Sequence, residues 1–321
     1  RIFKPLGMRR TDCREELNGD ANITSAYSSL DNAMPVQIDR VKLSEATLMG
    51  AAGGVRSCVD ELLIYYGNFL KAYTDQSQTG RASTPDSPFK HVLHQTSPHI
   101  SIPIGTGRGI SLDQAYGLGW LRGKLPGIMG ALSSNRSHLG ETPIIGADGP
   151  ERLVLSHPGS MAGAFCTCVL FPDTETAVVV LTNTLPLSDA ADWVSQLLTT
   201  TIFGSSVEHD FVQWTKRTVD AEVLRFNSQV SQVVNISPVP CGPFRDLEAY
   251  CGMFRNVANT LFLEVTTSSS EPYGSLVMRL QGLPQEDYKL KRVDNDVFTW
   301  LEPRNKLVAR VRFTNYDIRH Y

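Results

Sequence analysis

The sequence has no apolar run approaching the roughly 20 residues that a membrane-spanning helix needs, so no membrane span is expected in it. Nor does it carry an excess of one charge: 30 Lys and Arg nearly balance 33 Asp and Glu, for a formal net charge of -3. That balance removes the electrostatic footprint of a nucleic-acid binder. Cysteine is scarce, at positions 13, 58, 166, 168, 241 and 251, and a chain of 321 residues does not need disulfides to build a core. Cys166 and Cys168 share one face of a strand pattern and lack the second pair of ligands a zinc site needs, so they read as small apolar core residues and no metal or other cofactor is expected. Parity leaves open whether Cys241 and Cys251 are bridged. Repeats and low-complexity segments are absent. The opening "RIFKPLGMRRTD" has no initiator Met, signal peptide or helix cap, and reads as the middle of something. Three glycosylation sequons, at Asn22, Asn135 and Asn235, favour secretion only slightly.

What is present is a globular composition, 41% hydrophobic and 20% charged, long enough for about two domains. Residues 18–49 are polar and aperiodic, which predicts a long ordered loop. "AAGGVRSCVDELLIYYGNFLKAY" then places Val59, Leu62, Leu63, Tyr66, Phe69, Leu70 and Tyr73 at helical spacing, with Ser57 and Asp60 as a capping box. Residues 74–115 return to loop, and "YGLGW" at 116–120 reads as a short strand. Residues 152–156, 164–171 and 176–182 read as strands whose short links force antiparallel pairing. Their nearly continuous apolar runs imply a sheet covered on both faces.

"PLSDAADWVSQLLTTTIFG" supplies a covering helix with Ser188 as N-cap and Gly204 as stop, and a second amphipathic helix runs from about 207 to 233. Three prolines in "NISPVPCGPF" mark a boundary, after which four segments, the last of them "KLVARVRFTNYDI", alternate apolar and polar residues as in a small antiparallel barrel or sandwich. The fold class is therefore α/β (α+β), an antiparallel sheet flanked by helices and followed by a small all-β domain. The divisions fall at 1–205, 206–243 and 244–321.

Several formal motifs fail their context. Ser87-Pro88-Phe89-Lys90 matches S-x-x-K, but the residues around it predict a turn, and the pair needs a helix to share a face. Tyr66-Gly67-Asn68 matches Y-x-N but lies inside the amphipathic helix. His91 and His94 have no third ligand nearby, and "GTGRG" at 105–109 opens no helix. His157-Pro158-Gly159 is different. A histidine at a strand end can handle protons near neutral pH. The glycine lets a substrate lie against the backbone, and the N–H of Ser160 would be free to donate to a developing oxyanion. Taken alone, the tripeptide reads by default as a hairpin corner.

Its neighbours shift the balance. "IFKPLGMRRTD", "ITSAYSSLDNAMPV", "AAGGVRSCVDELLIYY", "YGLGW", "HPGS" and "AVVVLTN" follow one another in the order of a known family. The series resembles the serine β-lactamase and penicillin-binding-protein superfamily, in the branch with class C β-lactamases, D-amino-acid peptidases, esterases and fungal acyltransferases. It covers residues 1 to about 203, and residues 244–321 resemble the lipocalin-like domain attached to many members. The resemblance implies a β-lactamase/transpeptidase-like fold and acyl transfer through a serine ester on a small-molecule acyl substrate.

It makes His157 and Gly159 the third motif, Ser160 an oxyanion donor through its N–H, and Tyr27 the loop tyrosine lining the acyl pocket. Trp120 lines that pocket or is a core residue beside the sheet. Histidine in place of the family's lysine removes a permanent charge, which weakens the case for carboxylate-bearing β-lactams. The family's S-x-x-K and Y-x-N precede the "PLGM" segment. An N-terminal segment of the same protein, carrying the serine nucleophile, is therefore the expected partner. The competing expectation is a non-catalytic binding or assembly module of the same family.

Overall fold

A computed structural model describes residues 1–14, 22–41, 43–106, 109–205, 207–234, 245–269, 275–294, 296–300 and 303–308. It divides into two units, one of residues 1–27 and 40–221, the other of residues 28–39 and 222–321. The border between these units falls within one long helix at 221/222, and residues 28–39 belong to the C-terminal unit. Among the described residues no helix is long and apolar enough to cross a membrane.

In chain order the first part runs β1 (Ala26–Ser29), β2 (Pro35–Ile38), α1 (Gly50–Gly53), α2 (Val59–Thr79), α3 (Val92–Thr96), β3 (Ile100–Thr106), β4 (Gly109–Tyr116) and β5 (Leu121–Leu125). There follow β6 (Gly127–Ile128), α4 (Ser134–Leu139), β7 (Ile144–Ile145), β8 (Arg152–Met161), β9 (Ala164–Phe171), β10 (Thr176–Thr182), β11 (Thr184–Leu185), α5 (Ala190–Phe203) and α6 (Phe211–Val234). The main sheet is antiparallel with six strands in the order β10-β9-β8-β5-β4-β3. Both faces are covered, as the apolar runs predict. On one, Phe69 and Leu70 of α2 pack with Trp120, Leu155, Cys168 and Leu170. On the other, Leu125, Val154, Val169, Phe171 and Val178 form a second core that Phe203 of α5 and Phe211 close.

Several expectations are corrected. The 18–49 stretch holds β1 and β2, joined by a turn in which the Leu30 N–H donates to the Met34 carbonyl, and residues 15–21 and 42 lie outside the described residues. Residues 74–115 contain the end of α2, then α3, β3 and most of β4. The β3–β4 register shifts between Ile102 and Ile104, around Pro103, which has no N–H to give a ladder. In "YGLGW", Tyr116 ends β4 and Leu121 begins β5, so the segment is a tight turn and not a strand. The N-cap of α2 is Cys58 without a side-chain bond, because the Ser57 hydroxyl is paired with that of Thr11. The cap of α5 is Asp189, which accepts the Asp192 N–H, while Ser188 bonds Asn135 and Trp193.

The "PLGM" segment is tied to α2 by one carboxylate. Glu61, 8% exposed, accepts the N–H groups of Arg9 and Arg10 and the Thr11 hydroxyl. The C-terminal unit is a meander of five antiparallel strands, β12 (Gly252–Arg255), β13 (Phe262–Ser268), β14 (Ser275–Leu280), β15 (Asp287–Asp294) and β16 (Val297–Thr299). Its core of Val265, Leu276, Met278 and Tyr288 also buries Phe226 and Leu307. The last expected strand is instead helix α7 (Arg304–Val308) as far as it is described. Pro303 starts this helix by accepting the Lys306 N–H, and Arg304, 6% exposed, pairs with Asp31 at 3.0 Å. Cys251 is a free thiol that donates to the Leu247 carbonyl; Cys241 lies outside the described residues.

Candidate active site

His157, Gly159 and Ser160 all lie in the second half of β8, not at a corner. The strand continues to Met161, and the reversal comes at Ala162 and Gly163. Pro158 and Gly159 imitate a turn in sequence, yet each has a strand reason. Strand β5 pairs with β8 only from Arg152 to Ser156, so beyond Ser156 the strand has β9 on one side and no partner on the other among the described residues. A proline costs no ladder bond where its nitrogen faces such an open side. Alternation along the strand then turns the N–H of Ser160, two residues on, to the same open side. Gly159 faces Cys166 across the ladder, and a Cβ there would lie 2.6 Å from the Cys166 Sγ. Its missing side chain therefore makes room for a protein sulfur, not for a substrate.

The imidazole of His157 is held. Its Nε2 lies 2.9 Å from the hydroxyl of Tyr116, with the rings 5.9 Å apart and inclined at 62°. The carbonyl of His157 accepts the Cys168 thiol at 3.5 Å. Burial pushes that thiol up to about 11 and raises Cys166 as well, so both are protonated at neutral pH and neither substitutes for a serine nucleophile. Burial, then the neighbouring Cys168, also raises Tyr66, keeping its hydroxyl neutral.

Tyr27, half-buried, lies on β1, where its N–H donates to the Asn183 carbonyl at 2.9 Å. The preceding Ala26 fills the space beside Gly163, so β1 runs along the end of the β8–β9 hairpin. Trp120 is 7% exposed and packs on Phe69 and Tyr66, with ring centroids 5.1 and 6.0 Å away. Its position is that of a core residue, in the cluster that also contains Cys168, the cross-strand partner of His157. Tyr116 is the residue that sequence reasoning missed. It stood in view as the first letter of "YGLGW", but no local spacing links it to a histidine 41 positions on.

The rejected motifs have structural jobs. The Ser87 hydroxyl accepts the Phe89 N–H in a turn with Asp86 at φ 57°, and Lys90 is exposed. Asn68 donates to the Ile64 carbonyl within α2. The rings of His94 and His99 meet edge to face with centroids 4.9 Å apart, and among the described residues no three His, Cys, Asp or Glu side chains are grouped to hold a metal. Residues 107 and 108 of "GTGRG" lie outside the described residues. The sequon at Asn135 is closed, since that residue is 0% exposed and its amide donates to the Asp189 carbonyl and the Asp192 carboxylate.

Among curated proteins none matches this sequence. Solved structures similar to it include an octameric penicillin-binding protein homologue from Pyrococcus abyssi, 16% identical over 90% of this chain and 48% of the other, with a TM-score of 0.42. A D-stereospecific amidohydrolase from Streptomyces sp. is 20% identical over 64% of this chain and 47% of its own, with a TM-score of 0.39. A class C β-lactamase is 16% identical over 64% and 50%, also with a TM-score of 0.39. The chain thus spans about half the length of these structures. The model of the Beta-lactamase family matches residues 1–201, a stretch that contains the whole six-stranded sheet and the His157–Ser160 edge, and the chain belongs to that family.

Proposed function

We propose that this chain forms one wall of the acyl-enzyme site of a serine hydrolase or acyltransferase acting on a neutral ester, amide or thioester. The observation that carries the reading is the second half of β8, where among the described residues no strand pairs with the side opposite β9 and the Ser160 N–H turns to that open side. A serine brought to this edge would attack the acyl carbonyl through its oxygen. The charge that develops on the carbonyl oxygen is what a fixed backbone N–H such as that of Ser160 stabilises. Collapse of the intermediate forms the serine ester and expels the leaving group with a proton, and water or a second acceptor then releases the acyl group. His157 supplies a polar, proton-handling group where a lysine would supply permanent charge, which favours substrates without a carboxylate.

The serine is proposed to lie on an N-terminal segment of the same protein. Two features of the first unit support this. Strand β10 ends the sheet with one side unpaired among the described residues. Helix α5 is inside out: Asp192, Ser195, Gln196 and Thr199 are buried, while Val194, Leu197, Leu198 and Ile202 are 38 to 49% exposed. An open strand edge beside an apolar helix stripe suits a strand and a helix from elsewhere in the protein. The lipocalin-like identity of the C-terminal meander belongs to the same proposal. The test is His157→Ala in the whole protein, assayed for acylation by an activated ester. The reading expects acylation to fall about 100-fold with folding retained. Unchanged acylation in a folded variant would reduce His157 to a strand residue.

A further inference from the structure

We infer that Tyr116 is the positioning residue of His157: by occupying Nε2 it leaves Nδ1 as the ring nitrogen through which the histidine meets the acyl substrate. This deepens the proposed function and rests on it.

The bond between the Tyr116 hydroxyl and Nε2, at 2.9 Å, joins two residues whose backbones are fixed independently. Tyr116 closes β4, paired to Ile100 on one side and Leu121 on the other, and its carbonyl accepts the His99 N–H at 3.0 Å. The turn that follows is locked. The Gly117 N–H donates to the Trp120 carbonyl at 2.7 Å and the Leu118 N–H to the Gln95 carbonyl at 2.8 Å. A Cβ on Gly117 would stand 2.4 Å from the Gln95 oxygen and 3.0 Å from that of Ser97, so no other residue fits. "YGLGW" is thus a device that aims a phenol. On the other side, His157 is paired with Cys168, whose thiol donates to the His157 carbonyl and is itself buried. Groups held on rigid elements keep an orientation that loop residues lose.

A phenol both donates and accepts, so the contact survives either form of the neutral ring. With the proton on Nδ1, the Tyr116 O–H donates to Nε2 and Nδ1–H is a donor. With the proton on Nε2, that N–H donates to the phenol oxygen and Nδ1 is an acceptor or base. In both cases Nε2 is engaged, and Nδ1 has no partner among the described residues.

The test is a double-mutant cycle of Tyr116→Phe and His157→Gln in the whole protein, with a p-nitrophenyl ester as substrate, alongside nitrogen NMR of the labelled histidines. Tyr116→Phe keeps the ring and removes one hydroxyl. Expected are a fall of about tenfold in kcat with KM nearly unchanged, no further fall when the substitution is added to His157→Gln, and a shift of both ring-nitrogen signals of His157. Additive losses in the cycle, or unmoved His157 nitrogen signals in an enzyme that turns over the ester, overturn the inference. A protein that shows the NMR shift but neither turns over the ester nor forms an acyl adduct overturns the acyl-transfer reading instead, and with it the catalytic use of Nδ1.

Discussion

At Gly159 the space for a side chain is already taken by a sulfur. Gly159→Ala would drive a methyl to within 2.6 Å of the Cys166 Sγ, and overpacking of this kind costs about 1 to 3 kcal/mol. Thermal denaturation should show a lowered Tm for Gly159→Ala and recovery of most of it when Cys166→Ala is added. A failure of that rescue would mean that something other than the sulfur demands a glycine. Asn135 gives a second residue-scale expectation. Its side-chain amide donates to the Asp189 carbonyl and the Asp192 carboxylate, and its oxygen accepts the Ser188 hydroxyl and the Asp189 N–H. Mass spectrometry of protein from a glycosylating host should find Asn135 unmodified, and Asn135→Ala should cost about 2 to 4 kcal/mol in denaturant unfolding. His157 stands out in the sequence only because "HPGS" belongs to a series of ordered motifs. Its strand setting was not, because Pro158 and Gly159 obey local turn rules while the reasons for them, an absent neighbour strand and a cross-strand thiol, are tertiary.

The elements that were read correctly are those whose signal is local. The β9 and β10 runs are apolar, bounded by turn residues and joined by a short link, so their antiparallel pairing follows from sequence. Strands β1 and β2 have four residues each, with serines and a proline among them, and carry too little periodicity to be seen. Helix α5 was visible as a helix, but its polar inner face was not, because the buried Asp192 and the cap Asp189 are held by Asn135 and Ser133, more than 50 residues away. Anchoring of α2 offers a prediction at this scale. Burial would raise the Glu61 carboxyl, but hydrogen bonds from Thr11 and from the Arg10 and Arg9 amides outweigh it and hold the group below its ordinary value. A carboxyl lowered by folding adds stability above the unfolded value of about 4.3, and the contribution is lost as pH falls through the folded value. Glu61→Gln should therefore lose about 2 kcal/mol at neutral pH and show a shallower acid decline than the parent in denaturant titrations. A parallel acid decline would remove Glu61 from the acid response.

For the whole molecule, the unpaired side of β10, the exposed stripe on α5 and the open half of β8 all belong to the first unit, and the proposal assigns them a common cause. If a further segment covers α5 in the intact protein, Leu197→Glu should lower its stability by about 1 to 3 kcal/mol; if the stripe faces water there, the same change should lie within about 0.5 kcal/mol. The central claim is that the chain is the wall of a serine acyl site whose nucleophile lies N-terminal to the "PLGM" segment. The most direct measurement is to react the whole protein with a fluorophosphonate probe and map the labelled peptide by mass spectrometry. The account predicts one labelled serine, upstream of these 321 residues and followed three positions later by lysine. A labelled serine within the 321 residues, or a folded protein that takes no label, would contradict it.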